Sequence, residues 1–178
     1  AKGRRTRGEG EERREKGEKG RGEDLEQPVG GIGEGQVRFR AQADAVGGEV
    51  EGFTERAGRG MATYRELGFQ AGLGQKPLSQ KLGLRRDSTF EEAQQSAEWL
   101  WKHWKLGSVP ADRLHDAITR QLDVLVLYVD APVSISGAAS QLPGLQTILV
   151  NRKESLGRRM YDLAHELFHI LTWDAMPP

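Results

Sequence analysis

Hydrophobic positions are distributed very unevenly along the chain. Residues 1–60 contain 13 apolar side chains without a sustained period of 2 or 3.6, whereas residues 90–178 contain 42 in 89 positions. The first stretch buries too little apolar surface to offset a backbone entropy cost of about 1–2 kcal/mol per ordered residue. Glycine reinforces this division, since 18 of the 23 glycines lie in residues 1–74. We therefore predict a disordered, low-complexity segment at 1–75, a linker at 76–86 and a folded domain at 87–178.

Two helices are predicted at the start of the folded part. Ser88 and Glu91 have the spacing of a capping box, with Ser88 as the N-cap. Apolar residues then recur at helical spacing and predict a buried tryptophan-rich face: Phe90, Ala93, Ala97, Leu100, Trp101 and Trp104. Pro110 suits the first position of a second helix. The apolar face of that helix is formed by Leu114, Ile118 and Leu122.

Three strands and a last helix are predicted next. Residues 124–129 form a continuous β-branched and apolar run typical of a buried strand, and a weaker strand pattern covers 135–142. The Pro143-Gly144 turn leads into a returning strand at 146–150, and helical periodicity resumes from Leu156. The order favours an α+β fold in which helices pack on a small, mostly antiparallel three-stranded sheet.

Composition and charge limit the partners and the metal ligands that the chain can have. Twenty-six basic and 26 acidic residues give no net charge, so no general attraction to nucleic acid or to an anionic membrane is expected. The longest apolar run is too short to span a bilayer, and the N-terminus lacks the apolar region of a signal peptide. We therefore expect a soluble, intracellular chain. Cysteine is absent, so a metal would have to be bound by carboxylates and by the four histidines.

One motif on the last predicted helix indicates metal chemistry. Residues 165–169 read His-Glu-Leu-Phe-His, an H-E-x-x-H sequence. Positions i and i+4 share a helix face about 6 Å apart along the axis, so both imidazoles can bind one Zn²⁺. Glu166 then lies beside the ion, where it can accept a proton from water. His165 and His169 are therefore candidate metal ligands and Glu166 a candidate general base, whereas Asp174 lies off the histidine face.

The residues around this motif resemble the ImmA/IrrE family of metallo-endopeptidases. Two segments carry the resemblance, ILVN at 148–151 and RRMYDLAHELFH at 158–169. The family pattern is a strand ending in Asn, a short basic stretch, an aromatic residue and Ala-His-Glu-x-x-His. Residues 136–138 and the Pro143-Gly144 turn also fit, and the resemblance covers about residues 87–178.

The resemblance implies a zincin-like fold and a cytoplasmic zinc endopeptidase that cleaves a helix-turn-helix repressor in a stress or mobile-element response. It implies that His165 and His169 bind Zn²⁺ and that Glu166 is the catalytic glutamate. The family's third ligand is a Glu on a later helix, expected beyond Pro178, so the chain is interpreted as a C-terminally truncated member.

Two alternatives stay open at this point. One is a non-catalytic regulatory or partner-binding module of a transcription regulator, and the other is an inactive truncated fragment. For the enzyme, we expect the substrate to bind in extended form along a free edge of strand 146–151, which leads into the metal helix. This hypothesis assigns substrate binding to Thr147, Leu149 and Asn151.

Overall fold

The computed structural model describes residues 23–28, 36–41, 47–72 and 78–175, with side chains from residue 47 onward. The described strands are β1 (Glu23–Pro28), β2 (Gln36–Ala41), β3 (Leu125–Val129), β4 (Ile135–Leu142) and β5 (Leu145–Asn151). The described helices are α1 (Gly47–Gln70), α2 (Phe90–His103), α3 (Ala111–Leu122) and α4 (Leu156–Thr172). The predicted order of two helices, three strands and a helix is confirmed over α2–α4, and the α+β class with it. None of the described helices is long and apolar enough to cross a membrane.

The strands form one sheet with the order β1-β2-β4-β5-β3. β4 and β5 pair in antiparallel fashion across the two-residue Pro143-Gly144 turn, and β3 lies parallel to β5 on its other side. The three predicted strands therefore form a mixed sheet, because the central strand β5 is antiparallel to β4 and parallel to β3. The three predicted strands are present, and β1 and β2 extend the sheet beyond β4 in the described residues.

Two hydrophobic clusters cover opposite faces of the sheet. Alternate residues of β4 and β5 point to opposite sides, so Ala139, Ile148 and Val150 pack with the α2–α4 side, whereas Ala138 and Leu149 pack with α1. The buried residues of α1 in this second cluster are Val50, Phe53 and Met61. The sheet is thus the middle layer between α1 and the remaining helices.

Several local predictions need correction. Thr89, rather than Ser88, is the N-cap of α2, and its capping-box partner is Glu92, one residue later than predicted. The predicted tryptophan face is only partly buried: Trp104 lies in the core, but Trp101 is 40% exposed and Phe90 is 78% exposed. β3 is half-buried rather than buried, because it is the last strand of the sheet on its side.

The segment predicted to be disordered contains secondary structure where the structure describes it. β1, β2 and α1 all fall within residues 1–75, and α1 contributes Phe53 and Met61 to a buried cluster. Within α1 the buried apolar residues share one face, a pattern that average composition does not reveal, whereas Leu67 and Phe69 near the end of the helix are exposed. Residues 1–22 lie outside the described residues, so the predicted disorder stays a prediction there.

Candidate metal and proton-transfer site

α4 presents both histidines of the H-E-x-x-H sequence on one side of the helix. The helix begins after Ser155, whose carbonyl accepts the first helical hydrogen bond from Arg159 N–H at 2.9 Å. Its regular turns bring the Nε2 atoms of His165 and His169 to 3.1 Å from each other. The two imidazole rings are half-buried and cross at an interplanar angle of 80°. The structure therefore brings together the two predicted metal ligands.

The two Nε2 atoms have a separation that suits a shared metal ion. Two nitrogens, each about 2.0–2.1 Å from one Zn²⁺, lie roughly 3.3–3.4 Å apart at a tetrahedral angle, so a small opening of the present pair would admit the ion. Imidazole nitrogen is also a donor that Zn²⁺ prefers. Within the part of the chain that the structure describes, no group of three His, Cys, Asp or Glu residues is assembled. Asp174 is paired with Lys81, in line with its rejection as a ligand from sequence.

Glu166 occupies a different environment from the histidines. Its side chain is 1% exposed and packs beneath β4, at Gly137. A Cβ atom added to Gly137 would lie 2.9 Å from Glu166 Oε1 and 3.1 Å from Glu166 Cγ. It would also lie 3.2 Å from the Leu149 carbonyl oxygen, which belongs to the backbone and cannot rotate away. The absence of a side chain at residue 137 therefore creates the space in which the Glu166 carboxylate lies.

Arg158, in the first turns of α4, contacts both Asp162 of the same helix and Ser136 of β4. Arg158 Nε donates to Asp162 Oδ2 at 3.2 Å, and Arg158 Nη2 donates to Ser136 Oγ at 3.3 Å. Asp162 is 1% exposed and precedes Glu166 by one helical turn, so α4 carries two buried carboxyl groups on its sheet-facing side. The guanidinium of Arg158 supplies positive charge beside the first of them. It also fixes the start of α4 against Ser136 of β4.

Comparison of the chain with family models, curated proteins and solved structures finds no match. No family is therefore assigned.

Two of the predicted substrate-binding residues do not face the histidine helix. Thr147 and Leu149 are buried and face the α1 side of the sheet, opposite to α4, because side chains alternate along β5. The expected free edge of strand 146–151 does not exist, since β5 is paired with β4 on one side and β3 on the other. An extended peptide cannot join β5, and the substrate-binding hypothesis for these residues was wrong in this respect.

Asn151 has a structural role at the end of β5. Its Nδ2 atom lies 2.9 Å from the Ile135 carbonyl oxygen and 3.2 Å from that of Pro132. Its Oδ1 atom accepts a hydrogen bond from Lys153 N–H at 3.1 Å. The buried amide thus links the segment that precedes β4 to the turn that leads into α4. This contact network explains why a strand ending in Asn precedes the histidine helix.

We expect Asn151→Ala to lower the free energy of unfolding by about 1–3 kcal/mol, because buried carbonyl groups lose their donor. Chemical denaturation of the full chain measures this change, with Asn151→Asp as a second variant that keeps the side-chain volume but not the N–H donor. Zinc affinity measured below the unfolding transition should stay close to that of the unsubstituted protein. An unchanged stability in both variants would contradict the structural role.

Sequence reasoning missed three residues around Glu166. The sequence places Gly137 and Ser136 within a family pattern and Arg158 within a basic stretch, without a role for any of them. The i,i+4 spacing of Arg158 and Asp162 is a signal that could have indicated their pairing. No comparable signal indicated Gly137, because a glycine within a strand can mark a bulge, a bend or a close approach.

Proposed function

We propose that this protein is a zinc-dependent endopeptidase of the ImmA/IrrE type with a zincin-like fold. The observation that carries the proposal is the pair of Nε2 atoms at 3.1 Å on α4, with the buried carboxylate of Glu166 on the same helix. The assignment to this type rests on the resemblance of residues 148–151 and 158–169. The described α+β arrangement, in which a strand precedes the histidine helix directly, supports it.

The residues of α4 would divide the chemistry of peptide hydrolysis between them. His165 and His169 would hold Zn²⁺ through Nε2, and the bound ion supplies a Lewis acid that polarises a carbonyl oxygen and makes water more acidic. Glu166 accepts a proton at a carboxylate oxygen from the attacking water and then donates it to the leaving amine. Burial beneath β4 restricts the carboxylate to one position, which is what a general base needs for productive proton transfer.

The wider role follows from the same resemblance. We propose a cytoplasmic enzyme whose protein substrate is a helix-turn-helix repressor, cleaved during a stress or mobile-element response. Nothing in the net charge of zero favours direct binding of nucleic acid by this chain. A protein substrate must present an extended segment to the site, because a peptide bond held within the substrate's own helix or sheet is not accessible to both Glu166 and a metal ion.

Zinc binding can be tested by calorimetric titration of the full chain. We expect one specific site, weaker than a complete three-ligand site, because two imidazoles leave half of the tetrahedral positions to other ligands. His169→Ala should abolish this specific uptake, since a single imidazole does not make a site. His115→Ala is the matched control, because His115 also lies on a helix but contacts Asp116 and Tyr128 rather than another histidine. Equal zinc affinity in His169→Ala and the unsubstituted protein would contradict the metal site.

A further inference from the structure

The outer edge of β4 is the strand edge that lies beside Glu166. Gly137 of β4 packs directly against the Glu166 side chain, and β5, the next strand, is paired on both of its sides. A peptide that joins a sheet does so through backbone N–H and C=O groups at an edge. The position at which an extended peptide could join this sheet next to Glu166 is therefore the side of β4 away from β5.

The chain's own β2 occupies that position. β2 pairs with β4 in antiparallel fashion, and the register places Arg40 opposite Gly137 and Phe39 opposite Ala138. The register shifts by one residue between Arg40 and Ala41, so Ser136 is an extra residue in β4 at this point. Such bulges often end strand pairing next to functional sites. The pairing thus covers the stretch of β4 closest to the Glu166 carboxylate.

β1 pairs with the other side of β2, so the two strands form a hairpin with β1 as its outer strand. Its register with β2 places Glu26 opposite Arg38 and Asp24 opposite Arg40. Residue types of opposite charge at opposed positions favour an antiparallel pair. β1 and β2 therefore pair with β4 as one unit, with β2 as the strand in contact.

We propose that the β1–β2 hairpin is an internal, autoinhibitory occupant of the substrate position on β4. This inference rests on the proposed function. A segment tethered to its own site has an effective concentration on the order of mM, so a separate peptide at micromolar concentration cannot compete until the hairpin leaves. The segment that replaces it would be an extended, antiparallel strand like β2. Displacement of the hairpin would then control access to Glu166.

The test uses the full chain and a labelled peptide that copies β2, residues 36–41. Because the chain has no cysteine, the pair Gln36→Cys/Gln141→Cys can form a single disulfide between opposed positions of β2 and β4. Oxidation then locks the hairpin onto β4. Arg38→Pro has the opposite purpose, since proline within β2 removes a ladder hydrogen bond and weakens the hairpin. Fluorescence anisotropy measures peptide binding to each protein.

We expect Arg38→Pro to bind the peptide at least about tenfold more tightly than the unsubstituted chain, and the locked protein to bind it at least about tenfold more weakly than Arg38→Pro. The matched control is Glu23→Cys/Ala41→Cys, an opposed pair within the hairpin itself. Oxidation of this pair closes the hairpin but leaves it free to separate from β4. It should therefore change peptide binding little relative to its reduced form.

The outcomes separate this inference from the proposed function. Binding to the locked protein as tight as to Arg38→Pro would overturn the inference, and so would an absence of binding to Arg38→Pro. Zinc-loaded protein provides the second readout. Binding that follows the hairpin without any cleavage would contradict the peptidase alone, whereas equal cleavage by the locked and opened proteins would contradict the autoinhibition alone.

Discussion

Glu166→Gln should lower peptidase activity by about 10²–10⁴-fold while zinc binding is retained. Glutamine has the shape of glutamate, so the space beneath β4 stays filled, but an amide cannot accept the proton of the attacking water. Glu166 is buried and is not one of the proposed metal ligands, so zinc binding should not depend on its charge. Cleavage of a peptide under single-turnover conditions, together with the calorimetric zinc titration, measures both expectations.

The control for this substitution is Glu98→Gln. Glu98 is exposed on α2, where its carboxylate accepts from Gln94 at 3.1 Å, so its charge can be removed without a change near α4. Full activity of Glu166→Gln would contradict the mechanism even if zinc is bound. Loss of zinc from Glu166→Gln would show instead that the carboxylate contributes to the metal site.

Gly137→Ala should lower kcat by about 10–100-fold with a smaller effect on KM. The added Cβ would lie 2.9 Å from Glu166 Oε1, so the carboxylate must move, and a displacement of about 1 Å can cost on the order of 100-fold in rate. Because the Leu149 carbonyl oxygen is also 3.2 Å away, β4 cannot shift toward β5 to relieve the contact. Steady-state kinetics on a peptide substrate separate kcat from KM.

Gly157→Ala is the matched glycine control. Gly157 lies in the first turn of α4, and a Cβ added there would meet no atom within 4 Å. Alanine at this position should leave activity unchanged and raise the free energy of unfolding by about 0.4–1 kcal/mol. If Gly137→Ala and Gly157→Ala have equal kcat values, the positioning role of Gly137 is excluded. A loss of zinc affinity in Gly137→Ala would point to a general distortion of α4 rather than to Glu166.

The helices and strands after residue 87 could be predicted because their signals are local. The spacing of Leu163, Leu167 and Leu171 determines which side of α4 is buried, and the histidine pair follows from the same period. Pro143 and Gly144 likewise predict the turn between β4 and β5, where Gly144 has a φ of 75°. These features depend on residues within a few positions of each other.

The partners of β5 could not be predicted in the same way. Ile148, Leu149 and Val150 are all apolar and all buried, so the strand lacks the alternation that would tell which face meets α4. Strand order depends on contacts between distant segments, and the sequence of residues 146–151 does not indicate that β3 lies beside them. The added strands β1 and β2 were missed for a related reason, since their segment has little apolar content.

The contiguity of β4, β5 and α4 has a consequence for how the chain folds. These three elements follow one another within residues 135–172, so their mutual contacts close short loops and form with little loss of chain entropy. The β2–β4 pairing, by contrast, joins positions such as Phe39 and Ala138 that lie about a hundred residues apart, and such nonlocal contacts slow folding. We therefore expect the segment that carries His165 and Glu166 to gain its shape early and the hairpin to dock late. A nascent chain would then pass through an interval in which the β4 edge beside Glu166 is already formed but not yet paired with β2.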